Sequence, residues 1–376
     1  MNTPLRIAQI APLIERVPPK KYGGTERVVY HLTEGLVARG HDVTLFASGD
    51  SITSARLIAP IREGLRLGRR EHSPLITTML MLAQVYGEMV AEFDIIHSHL
   101  EYLTFPYAVH ASSPTVFTMH GRLDIGDYAA ILRRYRHLPL VSISDNQRSP
   151  VPDINWVGTI YHGYPPSSFD YNLHPDDYFL YLGRFSEEKR PDQAIMLAIA
   201  CGVRLKVAAK IDPADREYFL HRIQPLLQHP LIEYVGEVDE CRKRELLKNA
   251  RALLNTIDWP EPFGLVMIEA LASGTPVIVR GCGSAPEIIT GGKTGFVCHS
   301  RMDFIRAIRD IDTISRSRCR QEFLERFSAD AMVCSYESLY MNMLPAHRVE
   351  SMLQPERQRE PLRRVLGRPA GAADRS

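Results

Sequence analysis

Glu261-Pro-Phe-Gly-Leu-Val-Met-Ile-Glu-Ala-Leu-Ala-Ser-Gly-Thr-Pro-Val-Ile278 is the stretch whose reading decides the fold. It predicts a loop, a helix and a strand in succession. Gly264 opens the turn, the apolar run from Leu265 to Ala272 gives the helix, Gly274 ends it, and Pro276 leads into Val277, Ile278 and Val279. Two carboxylates frame the helix start, Glu261 in the loop before it and Glu269 within the helix. The first turn of a helix carries free backbone N–H groups and a positive dipole end, which suit an anionic phosphate. A carboxylate at each side is placed to accept hydrogen bonds from hydroxyls. A phosphate flanked by polyols describes a nucleotide sugar. Any two glutamates at this spacing also read as a solvated helix residue and a loop charge, so the weight rests on the whole string.

The rest of the chain repeats this grammar. Arg6 to Ala11 predicts a short buried strand, followed by a loop from Pro12 to Gly24 and a helix with Val28, Val29, Leu32, Leu36 and Val37 on one face. Thr25 is the expected cap of that helix and Gly40 its stop. Val43 to Ala47 is the next strand, which completes a βαβ unit of the doubly wound type. Gly23 and Gly24 stand at the loop-to-helix junction, where missing side chains let backbone amides approach a phosphate or sugar. Residues 55–72 read as irregular and basic, with Arg56, Arg62, Arg66, Arg69 and Arg70. Such a run is most often a solvated face, and its alternative is contact with anionic lipid.

A helix is expected from about Pro74 to Phe93, then a strand at Ile95 and Ile96 whose polar end, His97, Ser98 and His99, faces the ligand edge of the sheet. Thr115 to Thr118 delivers His120 and Gly121 to the same edge, and Leu140 to Ser144 is a further strand ending near Asp145. Arg133, Arg134 and Arg136 are either exposed charge or an acceptor-side basic patch. The proline-rich, polar residues 162–177 mark a domain boundary. A second series then begins with the strand Tyr178 to Leu182 and the turn Gly183 to Pro191. In that turn Arg184 and Lys189 can converge on a diphosphate, and equally read as a helix-start charge cluster. Strands at Leu205 to Ala208, Ile232 to Val235 and Ala252 to Leu254 alternate with helices, as a second parallel sheet requires.

Length and composition agree with this organisation. A chain of 376 residues exceeds the usual single domain, and two domains follow. Hydrophobic content of 45% and charged content of 24% are those of a soluble globular protein. A net charge of +1 gives no global field to draw nucleic acid, and none is expected as a partner. Six cysteines without a close C-x-x-C pair read as scattered reduced thiols, neither a disulfide framework nor a zinc site. The start of the chain enters a strand directly, without a signal peptide, so a cytoplasmic location is expected, with peripheral contact at the inner face of the membrane as an extension of the basic run. The expected units are 1–165, an acceptor-side domain; 166–327, a donor domain; 328–344, a helix crossing back to the first; and 345–376, a disordered, mildly basic tail with seven arginines against four acids.

The central string, Glu-Pro-Phe-Gly followed by Glu-Ala-Leu-Ala-Ser-Gly-Thr-Pro-Val, closely resembles the two-glutamate signature of the retaining glycosyltransferases of family 4. Tyr22-Gly-Gly-Thr-Glu26 resembles that family's glycine loop, and Gly183-Arg-Phe-Ser-Glu-Glu-Lys-Arg190 its Gly-Arg-x-x-x-x-Lys-Gly element, with Arg190 in place of the glycine. Gly281-Cys-Gly-Ser-Ala-Pro-Glu287 resembles its glycine-rich Pro-Glu turn and is expected to line the donor pocket. Where many members read Asn-Gly-Ile-Asp, this chain has His162-Gly-Tyr-Pro165, a departure that leaves that loop without a transferred role.

The resemblance implies an α/β protein of two Rossmann-like doubly wound domains facing a cleft, the GT-B fold. It implies donor-binding roles for Gly23, Gly24, Phe263, Gly264, Leu265 and Glu269, and catalytic roles for His120, Arg184, Lys189 and Glu261. In this scheme Arg184 and Lys189 hold the leaving phosphates and Glu269 the ribose. Glu261 with the Phe263-Gly264 backbone holds the sugar hydroxyls, and His120 meets the sugar near its primary alcohol. No Asp-x-Asp metal motif stands in a fitting place, so neither metal nor cofactor is expected. The donor is a nucleoside-diphosphate sugar, for which GDP-mannose, UDP-glucose and UDP-N-acetylglucosamine all fit the family; the acceptor is not legible. The alternatives are a nucleotide-sugar 2-epimerase of the same architecture, a phosphorylase-like enzyme that would need a pyridoxal lysine, and a noncatalytic nucleotide-sugar sensor.

Overall fold

A computed structural model describes residues 4–20, 23–66 and 73–344. Arg69 and Arg70 of the basic run, and the expected tail from residue 345, lie outside the described residues.

Two parallel sheets organise the chain. The first contains β1 (Arg6–Ile10), β2 (Asp42–Phe46), β3 (Arg56–Ile58), β4 (Ile95–Ser98), β5 (Thr115–Thr118), β6 (Leu140–Ser142) and β7 (Trp156–Thr159), in the order β3-β2-β1-β4-β5-β6-β7. The second contains β8 (Phe179–Arg184), β9 (Leu205–Lys210), β10 (Ile232–Gly236), β11 (Ala252–Asn255), β12 (Val277–Arg280) and β13 (Gly295–Cys298), in the order β10-β9-β8-β11-β12-β13. The strands are short and apolar because helices cover both faces of each sheet. Strand order reverses between β1 and β4 in one sheet and between β8 and β11 in the other. Ligands in such sheets sit beyond the carboxyl ends of the strands at that reversal. The loops after β1, β4, β8 and β11 are therefore the ones that position a site.

The helices depart from expectation in two places. Helix α1 (Gly24–Ala38) buries Val28, Val29, Leu32 and Leu36. It begins at Gly24, with Gly23 in the capping position at φ 153° and no side-chain cap, so Thr25 lies inside the first turn. Helix α2 (Pro74–Ala83), capped by Ser73, stops well short of Phe93. A π turn at Gln84–Glu88, which contains Gly87, and a 3-10 turn at Val90–Glu92 replace the rest. The segment expected to be irregular supplies the edge strand β3. In the second unit, helices α3 (Pro191–Cys201), α4 (Glu240–Asn249) and α5 (Leu265–Ala272) flank the sheet. The last of these is the helix read from the central string.

The chain passes between the two units twice, and the two passages lie side by side. Tyr164 N–H donates to the Phe327 carbonyl at 3.0 Å, and Ala329 N–H donates to the Tyr164 carbonyl at 2.8 Å. A Cβ placed on Gly163 would sit 2.3 Å from the Ser328 carbonyl oxygen, so the contact needs glycine. Beyond it, helix α6 (Ala329–Met343) returns over the first sheet and buries Met332, Val333, Tyr336 and Tyr340 in the same core as Leu5, Ile7, Val28 and Leu32.

Candidate active site

The loops after β1, β8 and β11, with His120 after β5 and His162 after β7, surround a cavity of about 680 Å³. The residues assigned donor-binding or catalytic roles all line it: Gly23, Gly24, His120, Arg184, Lys189, Glu261, Phe263, Gly264, Leu265 and Glu269.

Two helix N-termini meet here. A Cβ on Gly24, at the start of α1, would lie 3.3 Å from the Leu265 side chain, at the start of α5, so the two ends approach across the cleft. Gly264 holds φ 81°, the left-handed region in which a side chain is strained, and this turns the chain sharply into α5. The opening N–H groups of both helices lack intrahelical acceptors, and both dipoles point their positive ends at the shared space.

The loop bearing Glu261 is supported from behind. Ser284 Oγ donates to the Phe263 carbonyl at 2.6 Å and Ser284 N–H to the Glu261 carbonyl at 3.0 Å. A Cβ on Gly283, whose φ is 59°, would meet Glu261 N at 2.4 Å. The turn from Gly281 to Glu287 was expected to line the pocket and does not. Its glycine is needed because it packs directly on the backbone of the loop that does.

Charges are paired across the cavity wall. Lys189 Nζ bonds Glu261 Oε2, which also accepts from Trp259 Nε1 at 3.0 Å, and Lys189 lies 4.9 Å from the centre of the Trp259 ring. Arg184 donates to Glu188 at 2.7 Å and lies 3.8 Å from Asp215. Arg190 occupies a left-handed position, φ 51° and ψ 46°, which explains why glycine serves there in the resembling motif. Here Asp192, at 3.1 Å, anchors the arginine instead.

Glu269 accepts from Lys243 Nζ at 2.7 Å and from the Tyr164 hydroxyl at 3.0 Å, both on Oε1. Lys243 also meets Glu240 at 2.8 Å, and Glu240 meets Arg27 of α1 at 3.0 Å, so the chain of charges crosses from one unit to the other. Burial pushes the Glu269 carboxyl up, but Lys243, Arg27 and Tyr164 bring it below its ordinary range. On the opposite wall, burial and the neighbouring Glu15 raise the Glu26 carboxyl to about 7.

His97, Ser98 and His99, expected at the ligand edge, stand one layer behind it. Ser98 bonds Thr104 at 2.6 Å, and His97 is wholly buried. His99 lies between Gln9 and His120, at 2.8 and 2.9 Å. His120 alone of these reaches the cavity, and burial lowers its imidazole to about 3, so it is neutral near pH 7. The sequence reading missed His162, Tyr164 and Lys243, which also line the cavity. His162 stacks on His120 with ring centres 5.2 Å apart at 20°, and its Nδ1 is buried without a hydrogen-bond partner. His162 and Tyr164 lie in the loop that departs from the family's Asn-Gly-Ile-Asp and so received no role, while Lys243 is one cation in a highly charged helix. Among the described residues no group of three or more His, Cys, Asp or Glu side chains is arranged to hold a metal ion.

Comparison with known proteins bears on the family and the fold. Residues 167–331 match the family model for glycosyl transferases group 1, and residues 22–146 match that for glycosyltransferase family 4. An uncharacterized glycosyltransferase of Methanocaldococcus jannaschii is 26% identical over 75% of this chain and 82% of its own length. The glycogen synthase of Mycobacterium tuberculosis is 24% identical over 90% of this chain and 95% of its own. The glycosyltransferase AviGT4, involved in avilamycin A biosynthesis, superposes with a TM-score of 0.71 at 23% identity, over 90% of this chain and 98% of its own. Anabaena HepE, in complex with UDP and glucose, superposes with a TM-score of 0.69 at 14% identity, over 90% of this chain and all of its own.

Proposed function

We propose, for a chain that belongs to the glycosyltransferases of group 1 and family 4 and has their GT-B fold, the transfer of a hexose from a nucleoside-diphosphate sugar to a hydroxyl acceptor with retention at the anomeric carbon. The observation that carries this reading is the convergence on one cavity of two helix N-termini, Arg184 and Lys189, with Glu261 and Glu269 beside them. A neighbour of the same fold bound to UDP and glucose supports the choice of donor.

In this reading the diphosphate lies against the openings of α1 and α5 and the cations Arg184 and Lys189. Together they supply, without a metal, the positive charge that stabilises the leaving group. Glu269, whose depressed pKa keeps it ionised, accepts the ribose hydroxyls. Glu261 and the Phe263-Gly264 backbone hold the sugar hydroxyls, and neutral His120 meets the sugar near its primary alcohol. The bond from the anomeric carbon to the diphosphate oxygen breaks and a bond from that carbon to the acceptor oxygen forms on the same face. The acceptor proton passes to the departing diphosphate.

A second observation supports an acceptor at an anionic membrane surface. Helix α2 exposes Leu75, Ile76, Met79 and Leu80, each at least half accessible, just beyond the basic run whose Arg66 lines the cavity. An exposed apolar helix face that follows a basic run in the sequence suits insertion at a headgroup layer. No helix among the described residues is long and apolar enough to cross a membrane. Peripheral contact at the inner face, with a lipid-linked acceptor, is the form this takes.

The test is thermal stabilisation of the purified protein by a panel of UDP-, GDP- and ADP-sugars, beside Lys189→Met and Glu269→Gln variants. A shift of several degrees for one nucleotide class, lost in both variants, identifies the donor base. No shift with any nucleotide sugar refutes the reading, and release of an epimerised sugar without transfer identifies an epimerase instead. For the membrane part, failure to co-sediment with anionic vesicles at low salt is the refuting result.

A further inference from the structure

Behind His120 runs a chain of buried polar groups that reaches the first strand and the last helix. His99 Nδ1 lies 2.9 Å from His120 Nε2, and His99 Nε2 lies 2.8 Å from Gln9 Oε1. The other end of the same amide, Gln9 Nε2, donates to the Tyr340 hydroxyl at 3.2 Å. That hydroxyl lies 2.7 Å from His97 Nδ1, and His97 Nε2 lies 2.7 Å from Thr118 Oγ1. Gln9, His97, Thr118 and Tyr340 are fully buried, and His99 is nearly so. Burial favours the neutral form of each imidazole.

A neutral imidazole has one N–H and one bare nitrogen, so each hydrogen bond in the chain fixes the next. An amide oxygen only accepts, so His99 carries its hydrogen on Nε2 and its Nδ1 is bare. A bare His99 Nδ1 requires the hydrogen of His120 on Nε2. His120 Nδ1 is then left with a lone pair. The remainder of the chain runs in the same sense, with Tyr340 O–H donating to His97 Nδ1 and His97 Nε2–H donating to Thr118. Turning the Gln9 amide by half a turn would reverse every one of these assignments.

We infer that Gln9 and His99 are positioning residues that set the tautomer of His120, so that it meets the donor sugar through a bare Nδ1 and accepts a hydrogen from a sugar hydroxyl. The sugar part of this rests on the nucleotide-sugar reading of the cavity; the tautomer does not. The site then discriminates for a donor that carries a hydroxyl at this point. A deoxy sugar, or one presenting only an acceptor atom, leaves the lone pair unmatched.

The deciding measurement is the imidazole nitrogen spectrum of ligand-free protein labelled with 15N-histidine, with the His120 signals identified by their loss in His120→Gln. Two separated nitrogens with the hydrogen on Nε2 are expected in the wild type. Gln9→Met should spread His120 over both tautomers, and Gln9→Glu, whose carboxylate still accepts from His99, should restore the single form. With donor present, Gln9→Met should lower the preference in kcat/KM for the hexose donor over its 6-deoxy analogue by about tenfold. His120 protonated on Nδ1 in the wild type overturns the inference, as does a His120 spectrum unmoved by Gln9→Met. If Gln9→Met does not fold, the wild-type spectrum and Gln9→Glu still decide it. Absence of any donor binding, with the expected spectrum, sinks the sugar reading and leaves the tautomer assignment standing.

Discussion

The Lys243 ammonium lies 2.7 Å from the Glu269 carboxylate and, through Glu240, joins a charged chain that reaches Arg27 across the cleft. Glu269 is buried and Lys243 nearly so, and removing one partner of such a pair strands the other charge.

Lys243→Met is therefore expected to cost on the order of 3 kcal/mol near neutral pH, because it strands the buried Glu269 carboxylate. The pH dependence has a definite sign. The Glu269 carboxyl lies below its unfolded value of 4.5 in the wild type, so its contribution is present above that value and lost as pH falls. Without Lys243, burial dominates and lifts it, and stability falls as pH rises. The gap between wild type and variant in urea midpoint should widen from pH 4.5 to pH 7.5. An equal gap at both values would show that the two side chains are not coupled. Adding Glu269→Gln to the variant should recover most of the loss.

Glu26 has the opposite sign. Its carboxyl rises from 4.5 to about 7 because it is buried and faces Glu15. The stability linked to it is fully present below 4.5 and is lost as pH rises through about 7. A shift of that size corresponds to roughly 3 kcal/mol at most. Glu26→Gln, which stays neutral, should flatten the decline in thermal midpoint between pH 5.5 and 8.5. Because Glu26 lines the cavity, the variant should also weaken the pH dependence of donor KM on the alkaline side. An unchanged pH profile would refute the assignment.

These two residues show what the sequence could and could not reveal. The central string was readable because local rules write it: a glycine with positive φ, an apolar helix and a stop. The residues it selected line one cavity because strand-order reversals are topological, and the βαβ grammar specifies them. Glu26 and Lys243 were illegible because their perturbation depends on burial against elements far along the chain. Gln9 is a lone amide in the apolar strand Arg6–Ile10, a local inconsistency that could have drawn attention. The turn from Gly281 to Glu287 misled because Gly283 serves contact with the Glu261 backbone, which sequence cannot distinguish from contact with a ligand.

Gly163→Ala tests the double passage between the units. The added methyl would stand 2.3 Å from the Ser328 carbonyl oxygen, which is backbone and has no rotamer to yield. The passages must separate, at an expected cost of about 1–3 kcal/mol as for other overpacked sites. Chemical denaturation followed by tryptophan emission measures it. A neutral result would mean that the two segments part freely.

Glu287 makes a further connection between the units, and its chemistry predicts that a nominally mild change will fail. Its two oxygens accept the N–H groups of Asp145 at 2.8 Å and Asn146 at 2.7 Å, and the Tyr161 hydroxyl donates to it at 3.2 Å. A carboxylate is an acceptor on both oxygens, whereas a glutamine amide turns an N–H toward one of the two backbone donors. Glu287→Gln should thus cost about 1–3 kcal/mol through the opposed donors. The loss should appear locally, as amide exchange at Asp145 and Asn146 accelerated by about tenfold or more, while the exchange of core strands such as β1 stays unchanged. Glu261 and His120, from different units, line the same cavity, so donor KM should rise in the variant more than kcat falls. Unaltered exchange at Asp145 and Asn146 would show that this contact does not hold the units together.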